Sequence, residues 1–154
     1  MSARHLSLEE ISDRIQIGDL LTRYTTAIDT KDYELLDSVF TADAQVDYTS
    51  SGGIAGDYPT ARDWLERALS LFPVTVHFIS NSTVELRGDE ASARTYVINP
   101  MLFKNPDGSD HIFTVGAYYN DRLVRTEDGW RIRERIEEQA YLDGSLPKVL
   151  QIPS

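Results

Sequence analysis

Pro73-Val74-Thr75-Val76-His77-Phe78-Ile79-Ser80-Asn81 marks the place where the chain changes from one kind of structure to another. Before it, apolar residues return every three or four positions. From Val74 onward β-branched and aromatic residues dominate, the composition of strands that pack on a half-buried surface. In a strand successive side chains point to opposite faces, so Thr75, His77 and Ile79 share one side while Val76 and Phe78 share the other. A single histidine thus stands among apolar neighbours in the middle of a strand.

Upstream, Ser7 followed by Glu10 has the spacing of a capping box, and a helix is predicted from about Leu8 to Asp29. Ile11, Ile15, Leu20, Leu21, Tyr24 and Ile28 form its apolar stripe, which is expected to face the core. Tyr33, Leu36, Val39 and Phe40 make a short second helix. Ala44 to Thr49 alternates as a strand, with Ala44, Val46 and Tyr48 on one face, and residues 50–53 are a loop. Thr60 is placed as the cap of a third helix whose stripe of Trp64, Leu65, Ala68, Leu69 and Phe72 ends at Pro73.

Downstream, strands are predicted over Val74 to Leu86, Ala91 to Phe103, His111 to Arg125 and Trp130 to Tyr141, separated by polar, glycine-bearing turns. Such lengths favour a strongly bent sheet. Helices followed by an antiparallel meander imply an α+β fold, with the N-terminal helices packed on one face of a curved sheet that encloses a cone-shaped cavity. One domain is expected over residues 1–154, with 142–154 as a C-terminal tail.

The 15 Lys+Arg against 25 Asp+Glu give a formal charge of −10, which repels a phosphate backbone or an anionic membrane surface, so neither nucleic acid nor membrane is an expected partner. No run approaches the roughly 20 apolar residues of a membrane span, and the N-terminus lacks the apolar core of a signal peptide; a cytoplasmic location is the expectation. With no cysteine there is no disulfide and no thiolate chemistry. The three histidines, His5, His77 and His111, have no metal-ligand spacing, and no phosphate loop, dinucleotide fingerprint or nucleophile elbow is present; neither metal nor cofactor is expected.

The residues alone leave the polar candidates with two readings each. Asp29 closes an apolar helix at the end where the helix dipole disfavours a carboxylate, and reads either as a turn residue or as a cavity group. His77 reads as a satisfied core histidine or as a base. Tyr24 and Tyr48 are either amphipathic core residues or phenolic donors. Asn99, polar in mid-strand, requires a partner if buried and could orient a substrate oxygen. Alternation puts Arg131, Arg133 and Arg135 on one strand face, as ion-pair partners or, for Arg133 or Arg135, at a cavity edge.

Five segments in this order, Tyr24 to Asp29, Phe40 to Ala44, Thr75 to Phe78, Gly116 to Asp121 and Asp128 to Ile132, resemble the NTF2-like superfamily. Within it they are most similar to the SnoaL-like group that includes scytalone dehydratase, bile-acid 7α-dehydratase and hexachlorocyclohexane dehydrochlorinase. The resemblance spans about Ile11 to Tyr141. It implies that Asp29 lies in the cavity and holds His77 as a base, a single Asp–His dyad as in the dehydrochlorinase. Gly116 falls near the place where scytalone dehydratase has a second histidine.

The resemblance therefore implies a cofactor-independent lyase, most simply a dehydratase, acting on a small, largely apolar cyclic substrate. His77, Asp29, Tyr24 and Tyr48 form the expected catalytic set, and Asn99, Trp64, Phe78, Tyr118 and Arg133 the expected substrate-binding set. Isomerase or polyketide-cyclase-like proton transfer through Asp29, and a non-catalytic binding module, are the alternatives. A homo-oligomer, dimer or trimer, is expected to cover the outer face of the sheet.

Overall fold

The first helix starts where both halves of a capping box close: the Glu10 N–H donates to Ser7 Oγ at 3.1 Å and the Ser7 N–H to Glu10 Oε2 at 2.9 Å. In the computed structural model, which describes residues 4–146, α1 runs Leu8–Thr30 and ends at Lys31 in the left-handed conformation. Its buried stripe is Asp13, Ile17, Leu20, Leu21, Tyr24, Thr25, Ala27 and Ile28. Ile11 and Ile15, expected in the core, are 41% and 60% exposed. The buried stripe instead passes through Asp13, whose carboxylate receives two hydrogen bonds from Arg125 at 2.8 Å and one from Trp130 Nε1 at 3.1 Å.

After α2 (Tyr33–Asp37) come β1 (Phe40–Asp47), a 3₁₀ turn at Thr49–Ser51, the short β2 (Ala55–Asp57) and α3 (Tyr58–Leu69). The cap of α3 is Asp57 rather than Thr60: its side chain accepts from the Thr60 N–H at 3.0 Å, and Pro59 follows in the first turn, where its missing N–H costs nothing. β3 (Val74–Thr75), β4 (Phe78–Arg87), β5 (Glu90–Lys104), β6 (Asp110–Thr126) and β7 (Gly129–Asp143) complete the chain. β7 extends two residues past the expected end; of the expected tail, 147–154 lies outside the described residues.

The seven strands form one mixed sheet in the order β2-β1-β7-β6-β5-β3, with β4 also paired to β5. β1 joins β7 in parallel, so the early strand closes the far edge of the meander and the helices lie in the concavity between. The main core includes Ile17, Leu20, Ile28, Val39, Leu123 and Ile132. A second cluster, Phe72, Phe113, Val115 and Ala117, lines the other end of the curved sheet.

Two irregularities set what faces inward. The ladder between β5 and the third and fourth strands stops at Val76 and His77, opposite Pro100: Val76 N–H donates to the Pro100 carbonyl at 3.2 Å, but proline has no N–H to return. His77 is therefore in a break between strands, not in mid-strand. In β7 the register slips between Ile132 and Glu134, leaving Arg133 as an extra residue. Before the slip Trp130 and Ile132 face the core; after it Arg135 does so. The expected common face of Arg131, Arg133 and Arg135 is thereby split.

Candidate active site

Asp29 occupies the last turn of α1, and the αL residue Lys31 turns the chain away after it. Lys31 Nζ donates to the Phe72 carbonyl at 2.7 Å, which ties the end of α1 to the segment leading into β3. Asp29 then receives three hydrogen bonds from that segment: Thr75 Oγ1 to Oδ1 at 3.0 Å, the His77 N–H to Oδ2 at 2.8 Å, and His77 Nδ1 to Oδ1 at 2.6 Å. The His77 N–H is free for this because the strand ladder is interrupted. Burial works against the Asp29 carboxylate, but the His77 ring, the His77 backbone and Thr75 outweigh it and hold its pKa below the ordinary value. An ionised Asp29 only accepts, so Nδ1 carries the ring proton and Nε2 is left as the basic atom.

The His77 ring lines a cavity of about 620 Å³ between the helices and the concave sheet, within the usual range of small-molecule sites. Its apolar wall includes Ile28, Leu65, Leu69, Phe72, Phe113 and Val115. Its polar groups are few: Tyr24, Tyr48, Ser51, Tyr119, Asn99 and Glu137 besides His77, with the exposed Arg67. Tyr24 and Tyr48 share a hydrogen bond of 3.0 Å between their hydroxyls. The Tyr24 ring meets His77 and Tyr119 edge-on, with centroids 6.2 and 5.5 Å apart. Burial raises the pKa of all three phenols, so they remain neutral donors.

Of the residues expected to bind substrate, Asn99 and Trp64 line the cavity; Asn99 Oδ1 is buried without a hydrogen-bond partner among the described residues, and Trp64 lies against Tyr48 with centroids 6.5 Å apart. Phe78, Tyr118 and Arg133 do not line it. Phe78 opens β4 on the outer face and is 61% exposed. Tyr118 also faces outward, under the Arg94 guanidinium at 4.0 Å, and the strand pleat gives its expected place to Tyr119. Arg133 is the exposed residue of the β7 bulge.

Glu137 and Tyr119 lay outside the sequence reading, while Arg135 takes the ion-pair role the sequence offered it, with Asp121 on the neighbouring strand. Glu137 lines the cavity two residues after Arg135, and Ser50 clips the strand just beyond it, donating to the Glu137 carbonyl at 2.8 Å and accepting from the Gln139 N–H at 3.0 Å. Tyr119 supplies a third inward phenol. Beneath Tyr24 and Tyr119 the fully buried Arg135 makes two 2.7 Å hydrogen bonds to the equally buried Asp121, with its guanidinium 4.1 and 4.0 Å from the two ring centroids. The alternation rule would have found Glu137 and Arg135 only with the bulge at Arg133 known. Among the described residues no three His, Asp or Glu side chains come together as a metal-ligand group. No described helix is long and apolar enough to cross a membrane.

Residues 9–136 match the family model of the SnoaL-like domain. The chain belongs to the SnoaL-like family. This SnoaL-like chain is 44% identical over 136 residues to the uncharacterized protein Rv2910c of Mycobacterium tuberculosis, covering 88% of this chain and 91% of the relative. Among solved structures it is similar to Kfla4162 of Kribbella flavida, at 25% identity and a TM-score of 0.78 over 86% of this chain and 93% of the other. Hexachlorocyclohexane dehydrochlorinase LinA-type3 from Novosphingobium barchaimii shares the fold at 18% identity, with a TM-score of 0.74 over 90% of this chain and 93% of the other. The SnoaL-like, NTF2-like α+β fold expected from the sequence is therefore the one this chain has.

Proposed function

We infer that this SnoaL-like protein is a cofactor-independent lyase that carries out a dehydratase-like elimination on a small, largely apolar cyclic substrate. The observation that carries this reading is the 2.6 Å contact between Asp29 and His77 Nδ1 at the wall of a mainly apolar cavity. Elimination begins with removal of a proton from a carbon next to an electron-withdrawing group. The base is His77 Nε2, which needs a fixed tautomer and orientation; Asp29 is the positioning residue that supplies both. With the two hydroxyls hydrogen-bonded to each other, either Tyr24 or Tyr48 donates its remaining phenolic proton to the substrate oxygen on which negative charge develops, and Asn99 orients the substrate.

Asp29 is poorly suited to carry the carbon proton itself, because both of its oxygens are already engaged by Thr75 and His77. That weakens the isomerase and cyclase readings in which it does so. The test is a panel of cyclic β-hydroxyketones followed by the ultraviolet absorbance of the enone product. His77→Ala should abolish turnover. Asp29→Asn should lower kcat far more than it raises KM and alter the pH profile, since the amide can present its N–H to Nδ1 and favour the wrong tautomer. Unchanged turnover in His77→Ala would end the proposal.

A homo-oligomer, dimer or trimer, belongs to the same proposal. Strand register sets Phe78, Ile98, Gly116 and Tyr141 in a row across four strands on the outer face, and the three side chains are 61%, 48% and 48% exposed. A second copy covering this row is what such an apolar surface supports.

A further inference from the structure

Glu137 is the carboxyl group in the cavity that neither the dyad nor the fold uses. It makes no ion pair among the described residues, although its strand neighbours Glu134 and Glu138 are paired with Arg122 and Arg94. The nearest buried cation, Arg135, is already neutralised by two hydrogen bonds to Asp121. A carboxyl group thus sits against tyrosines and apolar residues, in the same cavity as His77 and with the Ser50 clip fixing its backbone. Keeping such a group where an amide or an alkyl chain would be easier to bury calls for a role in proton handling.

We propose that Glu137 is the acid of the site, donating its proton to the leaving oxygen of a hydroxyl-bearing substrate while His77 removes the carbon-bound proton. The proposal rests on the elimination reading above and narrows it to substrates that lose water rather than halide. His77 Nε2 takes the proton from the carbon beside the carbonyl, and the C–H electron pair becomes the new C=C bond. The C–O bond breaks with its electron pair going to oxygen, and that oxygen takes the Glu137 proton and departs as water. Imidazolium and carboxylate remain, and a proton passing from the first to the second through solvent restores both.

The surroundings suit a carboxyl that holds its proton. Burial raises the Glu137 pKa above the ordinary 4.5, and Asp47 adds to this; Ser51, His77 and Arg135 pull the other way without cancelling the effect. Hydroxide is a poor leaving group and needs such a proton, whereas chloride departs without one.

The experiment therefore compares the panel's best hydroxyketone with the same ring carrying chlorine in place of the hydroxyl. Glu137→Gln should lower kcat/KM on the hydroxyketone by about 10²–10³-fold, within the span of general acid catalysis, and leave the chloroketone within about fivefold. Glu137→Asp should recover part of the loss. His77→Ala should lose both activities. Equal losses on both compounds in Glu137→Gln, or no loss on either, overturn the acid role while the elimination reading stands. Failure of the native protein to turn over any hydroxyketone of the panel or its chlorinated counterpart overturns the elimination reading and the acid role with it. Infrared difference spectra of native protein against Glu137→Gln give a readout independent of turnover: the protonated carboxyl band should persist above the pH at which an ordinary glutamate loses it. Loss of the band in the ordinary range overturns the proposal.

Discussion

Asp121→Ala tests how the cavity floor is held. Asp121 and Arg135 both have side chains with no solvent exposure, joined by two 2.7 Å hydrogen bonds. Arg135 stays protonated: burial opposes its charge, but Asp121 outweighs burial and puts its pKa above the ordinary guanidinium value. Removing the carboxylate strands a buried cation whose Nη1 already has no hydrogen-bond partner among the described residues. The faces of Tyr24 and Tyr119, worth roughly 0.5–2 kcal/mol each as cation–π partners, are then its main compensation. The loss expected for breaking one side of a buried pair is about 3–5 kcal/mol.

In urea, with a slope of about 2 kcal/mol/M for a domain of this size, that loss lowers the unfolding midpoint by about 2 M. Arg135→Met should cost a similar amount, because it leaves the carboxylate buried alone. The double variant Asp121→Leu/Arg135→Met removes both charges and should be more stable than the summed single losses by about 3 kcal/mol or more. An Asp121→Ala loss below about 1 kcal/mol, or simple additivity in the double variant, refutes the reasoning. Because Arg135 supports the Tyr24 ring, the single variants should also weaken ligand binding in the cavity at urea-free conditions where they remain folded.

Acid titration should reveal carboxylates of opposite sign. Asp13, lowered first by its hydrogen bonds from Arg125, and Asp29, lowered by its net hydrogen bonding despite burial, stabilise the fold above the ordinary 3.8, and that stability is lost as pH falls through their folded values. Asp13→Asn should flatten the loss of urea stability on acidification. Glu137 has a raised folded pKa, so its contribution is complete below the ordinary 4.5 and is lost as pH rises through the folded value; Glu137→Gln should gain stability relative to the native protein as pH rises toward neutral. Gly53→Ala places a Cβ 2.7 Å from Tyr48 Cβ and 2.9 Å from the Tyr48 carbonyl, a clash with backbone that should cost about 1–3 kcal/mol in urea unfolding. Ser7→Ala should cost about 1 kcal/mol by opening the capping box of α1.

What was legible in the sequence had a local cause. The capping box, the Leu65 and Leu69 part of the α3 stripe, the alternation of Ala44, Val46 and Tyr48, and the glycine turns reappear in the fold because each depends on neighbours a few residues away. The first turns of the α1 stripe differ from the apolar pattern because they bury the charged Asp13, whose partner Arg125 is 112 positions away. The join of β1 to β7 was hidden for the same reason, since a parallel pair across most of the chain leaves no local pattern.

The site itself was divided along that line. The helix-end carboxylate and the lone histidine could be paired only through the family resemblance, yet their contact has a local cause: Pro100 breaks the ladder opposite Val76 and frees the His77 N–H for Asp29. A proline inside the expected strand from Ala91 to Phe103 was the available sign of that break. No such sign precedes the bulge at Arg133. One extra residue there inverts the faces of the strand until the next register shift at Ala140, turning Arg135 and Glu137 inward in a segment, Arg133 to Glu138, where charged residues occupy both faces. Deleting Arg133 should reverse the inversion: Arg135 would leave Asp121 and Glu137 would leave the cavity. The expected result is a loss of stability at least as large as that of Arg135→Met, read by the same urea midpoint. A stable deletion variant with native ligand binding would mean that the bulge does not set the phase of the site.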